Sequence, residues 1–186
     1  MMVRMDDERL IGFFQEINKL KRIKRSGWVV DKVKNPESVA EHSFRTAVMC
    51  MFLGRGRRLD LEKAMKMALI HDIAEARIGD IITYWRYPKA VPVKEKAEKE
   101  QKAMAEMASG LEGGRGLLEL WKEYEARKTK EAMFVKQVEK LEMALQALEY
   151  EKEGYGIRGH YFQEADELIK DPGLRRLLRK ITNRRP

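Results

Sequence analysis

Cysteine is almost missing from this chain. Cys50 is the only one in 186 residues, so no internal disulfide is available and packing must hold the fold. It lies in the apolar run Ala47–Leu53, where it reads as a small core side chain. That run, seven residues long, is the longest apolar stretch, far short of the ~18 needed to cross a bilayer as a helix. Acids at Asp6, Asp7 and Glu8 interrupt the N-terminus where a secretory signal would be apolar. The expectation is a soluble, cytoplasmic protein with no membrane segment. Proline and glycine are scarce, at 5 and 13 residues, and long stretches rich in Ala, Leu, Met, Glu and Lys lie between them. That excludes a turn-dense β architecture and favours an all-α one. Histidine is rare too, with three: His42, His71 and His160.

What is present specifies a folded chain. Hydrophobic residues make up 44% and charged residues 37%, which argues against disorder, and the length suits one domain with a substantial core. We expect a single all-α helical bundle over 1–186, with its core at about 10–165. The net charge is +8, but both signs alternate, as in Lys94–Lys102, which reads as a solvated helix face. Only Arg175–Arg185 concentrates one sign, with six basic residues and no acid. Charge alone supports non-specific attraction and not a site, so nucleic acid is not the expected partner.

Periodicity places the elements. Leu10, Phe13, Phe14, Ile17 and Leu20 share a face over Asp6–Leu20. Lys21–Lys34 reads as a basic, irregular crossing, with Trp28, Val29 and Val30 suited to extended backbone. Asn35–Pro36 offers one helix start, and Ser38 with Glu41 offers another as a capping box; Phe44, Val48, Met51 and Phe52 continue that helix. Asp60 caps the next helix, expected to run on to near Gly79. Ile81–Pro92 is a loop carrying Tyr84, Trp85 and Tyr87, aromatics suited to a substrate lid or to packing. Helices follow at Lys94–Ser109, Leu117–Ala126 and from Thr129 to Gly154, the last with a wide apolar arc and so central. Asp171–Pro172 opens a basic C-terminal helix at 172–182.

The chemistry gathers at Ala64–Asp80. Leu61, Met65, Ala68 and Asp72 fall on one helical face, so an acid ends an apolar stripe. A carboxylate there needs a cation. His71 adjoins it, and Glu75 lies one turn beyond His71. Half a metal site with a general base fits; so does an Asp paired with Arg beside a core histidine bonded to backbone. With His42 from a second helix, two imidazoles and a carboxylate would make a mixed N/O set suited to Mn, Fe, Co, Ni or Zn.

These residues resemble a family. Gly27–Met49 (GWVVDKVKNPESVAEHSFRTAVM), Ala68–Ile81 (ALIHDIAEARIGDI) and Lys140–Lys152 (KLEMALQALEYEK) look like the HD-domain metal-dependent phosphohydrolases, most closely the 5′-deoxynucleotidase branch. The resemblance implies His42, His71 and Asp72 as ligands of a divalent transition metal, with Glu75 orienting the attacking water. It implies Asp80 at the sugar and Trp28 crowding the ribose 2′ position. It also implies a nucleotide substrate and a homodimer. Arg25 is a candidate for phosphate, with Arg45 and Lys32 as further basic candidates. The fourth ligand of the family is normally Asp in DKLEMA; this chain has EKLEMA, placing Glu139 there. The added methylene lengthens the reach by about 1.3 Å against bonds of ~2.0–2.2 Å. Two other readings compete: an HD hydrolase of another phosphate ester or phosphodiester, and a non-catalytic helical protein that binds nucleic acid or a partner through its basic tail.

Overall fold

The computed structural model describes residues 7–83, 90–158 and 160–186. Among them there is no strand, only an isolated bridge between Lys24 and Ser38. The helices are α1 (Asp7–Ile17), α2 (Ser26–Val30), α3 (Val39–Leu53), α4 (Leu61–Ile70), α5 (Glu75–Ile78), α6 (Val93–Ala108), α7 (Gly114–Ala126), α8 (Lys130–Lys152), α9 (His160–Leu168) and α10 (Pro172–Thr182). The all-α expectation holds. No described helix is long and apolar enough to cross a membrane.

The axis of the fold is α8. Thr129 caps it by accepting from the Ala132 amide. The expected wide arc is buried, from Ala132 and Val135 through Val138 and Leu141 to Leu148. Around it pack α3, α4, α7, α9 and α10. The core extends past residue 165, because Ile169, Leu174 and Leu178 join it.

The start of α3 falls on Ser38, not on Asn35–Pro36. The Ser38 amide donates to Glu41 Oε2 at 2.5 Å and the Glu41 amide to Ser38 Oγ at 3.2 Å, a reciprocal pair that satisfies two otherwise unpaired donors. Its buried stripe is not the large apolar one. Phe44 and Phe52 stand 67% and 60% exposed, while His42, Ser43, Thr46, Ala47 and Cys50 face inward. Such small and polar residues let α3 approach α4 and α8 closely.

Three further elements differ from expectation. Trp28–Val30 is a helical turn, because the Ser26 amide donates to Asp80 Oδ2 at 2.5 Å and so caps α2 from far along the chain. The helix from Asp60 stops at Ile70, and the chain turns through His71–Ala74 before α5. Finally, α9 is an element the periodicity reading passed over, with Tyr161, Phe162 and Ala165 buried. The aromatic loop residues Tyr84, Trp85 and Tyr87 lie outside the described residues.

Candidate metal centre and cleft

Two helices present the imidazoles. His42 comes from the buried face of α3, and His71 stands at the C-cap of α4, where the turn swings Asp72 beside it. Their Nε2 atoms are 3.3 Å apart, and Asp72 Oδ2 lies 3.2 Å from His71 Nε2 and 3.9 Å from His42 Nε2. The far sides of both rings are already bonded. His71 Nδ1 meets the Ala68 carbonyl at 2.8 Å, and His42 Nδ1 meets Glu142 Oε2 at 2.5 Å. With Nδ1–H donated on each ring, Nε2 is the lone-pair atom of each imidazole in its neutral form. Two lone pairs facing each other beside a carboxylate is a donor set that asks for a cation, and a divalent metal fits it.

The surroundings hold that geometry. Trp121 Nε1 donates to the His71 carbonyl at 3.2 Å, and the Tyr124 ring packs edge-on to His71 with centroids 5.4 Å apart. Glu142 is fixed by Arg45 Nε at 2.7 Å, and Arg45 also reaches Gln146 and Glu149. Glu37, His42 and Glu142 form a second cluster of ligand-type groups, but the Arg45 guanidinium already supplies its cation. Arg45 therefore serves the support of His42 and does not line the cleft.

Asp72 borders a cleft of about 200 Å³ lined by α2, the Asp80–Thr83 segment and one side each of α6, α7, α8 and α9. Arg25 Nη1 lies 3.2 Å from Asp72 Oδ2, the Asp–Arg pairing that the sequence offers beside the metal reading. Burial alone would raise the Asp72 pKa, but His71 and Arg25 outweigh it and keep the carboxylate ionised. Arg25 also lies 3.8 Å from Asp80 Oδ1.

Trp28 is 2% exposed and lines the cleft. Its Nε1 donates to Glu37 Oε1 at 2.9 Å, and its ring packs on Tyr161 with centroids 4.1 Å apart. Gly27 makes this approach possible, as a Cβ there would come within 2.8 Å of the Tyr161 hydroxyl. His160 stacks on the other partner of that pair, Tyr161, again at 4.1 Å.

Glu75 is fully buried at the start of α5. Its Oε1 lies 3.1 Å from Lys96 Nζ, while Oε2 has no hydrogen-bond partner in the protein. Burial first, then the charges of Asp72 and Asp80, push its pKa well above the usual carboxylate range. Lys96 also reaches Glu100 at 3.4 Å, and burial lifts the Glu100 pKa to about 7. The solvated-face reading of Lys94–Lys102 is thus corrected at two positions: Lys96 and Glu100 turn inward and line the cleft. The only sequence signal was their i, i+4 spacing, which exposed pairs share.

Glu139 does not join the imidazole pair. The convergent groups among the described residues are His42–His71–Asp72 and Glu37–His42–Glu142. The Glu139 carboxylate instead accepts from the Tyr124 hydroxyl at 2.6 Å and faces Lys136 at 2.9 Å and Lys140 at 3.3 Å. Lys136 and Lys140, which the sequence offers as charge partners of Glu139, line the cleft with Arg127; Lys32, a phosphate candidate, does not.

A helical bundle with two histidines and an aspartate at its centre is the arrangement of the HD-domain family. The family model described as "HD domain" matches residues 17–172, and the chain belongs to that family. Within it, the chain is 42% identical to 5′-deoxynucleotidase HDDC2 of Dictyostelium discoideum, over 79% of this chain and 80% of that protein. It is likewise 42% identical to 5′-deoxynucleotidase HDDC2 of Homo sapiens, over 76% of this chain and 68% of the human one. Among solved structures it resembles PH0347 of Pyrococcus horikoshii, with a TM-score of 0.76 at 30% identity over 94% of this chain and 99% of that one. A predicted metal-dependent phosphohydrolase of Magnetospirillum magnetotacticum superposes with a TM-score of 0.73 at 27% identity, covering 95% of each chain.

Proposed function

We propose that this chain is a metal-dependent phosphomonoesterase that removes the phosphate from deoxyribonucleoside 5′-monophosphates. The observation that carries it is the facing pair of Nε2 atoms, 3.3 Å apart beside Asp72. His42, His71 and Asp72 would hold a divalent ion of the Mn, Fe, Co, Ni or Zn group. When bound, such an ion acidifies a water and offsets charge on a phosphoryl group.

The chain's own residues supply the rest. Glu75 Oε2 is the acceptor with nothing to bond, and in this reading it takes the proton of the attacking water. Lys96 holds the other oxygen of Glu75 and so fixes its direction. Arg25, pinned by Asp72 and Asp80, offers guanidinium donors to a phosphate oxygen. Trp28 forms the wall against which a sugar packs, held by its bond to Glu37 and its contact with Tyr161. Asp80 acts through Ser26, holding the turn that carries Arg25 and Trp28.

A homodimer and a cytoplasmic location belong to the same reading. The exposed flank Phe44 and Phe52 on α3 supports the first, and sedimentation at monomer mass would remove it. The experiment for the function is phosphate release from dAMP and AMP with each metal in turn. Release from dAMP well above AMP, abolished in His71→Ala with loss of bound metal, is the expected result. Equal release from both would return the substrate question to other phosphate esters.

A further inference from the structure

The carboxylate at 139 is engaged on both oxygens. Its Oε2 receives the Tyr124 hydroxyl at 2.6 Å and Lys136 Nζ at 2.9 Å; its Oε1 faces Lys136 at 3.2 Å and Lys140 at 3.3 Å. Two of these contacts are hydrogen bonds, from Tyr124 to Oε2 and from Lys136 to Oε1, and the other two are ion-pair contacts. To bind an ion directly, Glu139 would have to loosen its bonds to Tyr124 and Lys136, which hold a side chain only 6% exposed. The lysines have capacity left. An ammonium group has three N–H donors. Lys136 spends its bonds on the two oxygens of Glu139, and Lys140 divides its own between Glu139 and Glu164, at 2.9 Å. Both line the cleft that Asp72 and Arg25 border.

We propose that Glu139 is a positioning residue for Lys136 and Lys140, which receive the phosphate group of the substrate, and that the metal has three protein ligands instead of four. The inference rests on the phosphohydrolase reading above and assigns the phosphate subsite within it. One turn of α8 places the two ammonium groups on the same side of the helix, and Glu139 between them draws both toward the cleft instead of letting them extend to solvent. Burial weighs against the Lys136 charge, with Lys140 and Arg127 adding to the strain and Glu139 opposing it. An arriving phosphate dianion relieves that strain. The longer side chain at 139 thus has a use: it reaches the lysines.

The test separates metal from phosphate. Co(II) binding is measured by calorimetry in the wild type and in His71→Ala, Glu139→Gln and Glu139→Asp. The inhibition constant of inorganic phosphate and the KM for dAMP are measured in Lys136→Met, Lys140→Met and Lys136→Arg. His71→Ala should lose Co(II) binding, while both Glu139 variants keep it within about threefold. Each Lys→Met variant should raise the phosphate inhibition constant and the KM about tenfold or more, the usual scale for a lost charge-assisted bond, with Lys136→Arg recovering most of it. Loss of Co(II) in Glu139→Gln equal to that in His71→Ala overturns the proposal and leaves the hydrolase reading standing. So does unchanged phosphate inhibition in both Lys→Met variants. Retained Co(II) binding in His71→Ala overturns the hydrolase reading instead. Should Glu139→Gln fail to fold, Glu139→Asp decides: tighter Co(II) binding there would mark residue 139 as a ligand.

Discussion

Two buried side chains show how a site residue and a packing residue differ. Glu75 has one oxygen paired and one with no protein donor, an arrangement a purely structural carboxylate avoids. Glu75→Gln should lower kcat by about 10²- to 10⁴-fold, the range for a general base, with bound metal unchanged; a variant of near wild-type kcat would place the base elsewhere. Cys50 is fully buried, and burial pushes its thiol up to about 12. A thiol-specific reagent at pH 8 should leave the native protein unlabelled and modify it fully in guanidinium; rapid native labelling would contradict the packing assigned to α3. At this scale the sequence was informative where a residue type is rare. His42, His71 and Asp72 could be named because histidines are few and adjoin acids. That Lys96, Lys136, Lys140 and Glu100 face the cleft could not be read, because the same letters on a helix face solvent or cleft according to what packs on them.

Elements were legible where their caps are local. Thr129, Asp60, Ser38 and Asp171 all bond an amide three residues on, and each begins a helix. The turn at α2 was not legible because its cap, Asp80, is 54 residues away. Asp171 gives the sharpest element-scale prediction. It accepts from the Leu174 amide at 2.9 Å and is bidentate to Arg57, whose bond holds its pKa down to about 2 from an ordinary 3.8. A depressed carboxylate pKa stabilises the fold above the unfolded value and ceases to as pH falls through the folded one. The contribution should therefore be whole above pH 4 and lost toward pH 2. Asp171→Ala should cost roughly 1 kcal/mol or more at pH 7 from the cap alone, read as a lower midpoint in urea. The gap between variant and wild type should close toward pH 2; a gap independent of pH would detach it from the Arg57 pair.

For the whole molecule, the site ties distant parts together. His42 comes from α3, Asp72 from the turn after α4 and Glu142 from α8 itself, and Tyr161 and Glu164 close the cleft from α9. An ion held only by the folded arrangement stabilises it by about 2.7 kcal/mol at one hundred times its dissociation constant. Removing metal with a chelator should lower the thermal midpoint by several degrees and adding Mn(II) or Co(II) should restore it, with His71→Ala blind to both. An equal response in His71→Ala would mean the ion binds elsewhere. The all-α architecture was readable from composition and periodicity, which report burial averaged over a helix. Which side chains line the cleft was not, since that depends on how α6 docks against α7 and α9 against α8.

The turn at His71–Ala74 has an evolutionary corollary. His71 and Asp72 sit directly after a helix that begins at Leu61 and is anchored by its Asp60 cap. One residue added within α4 would swing both by about 100° around its axis and part the imidazoles. One added at Gly56, a left-handed position with open space around it, would leave them facing. Insertions and deletions among descendants of this gene should therefore accumulate in the bend between α3 and α4 and spare the ten residues that follow it.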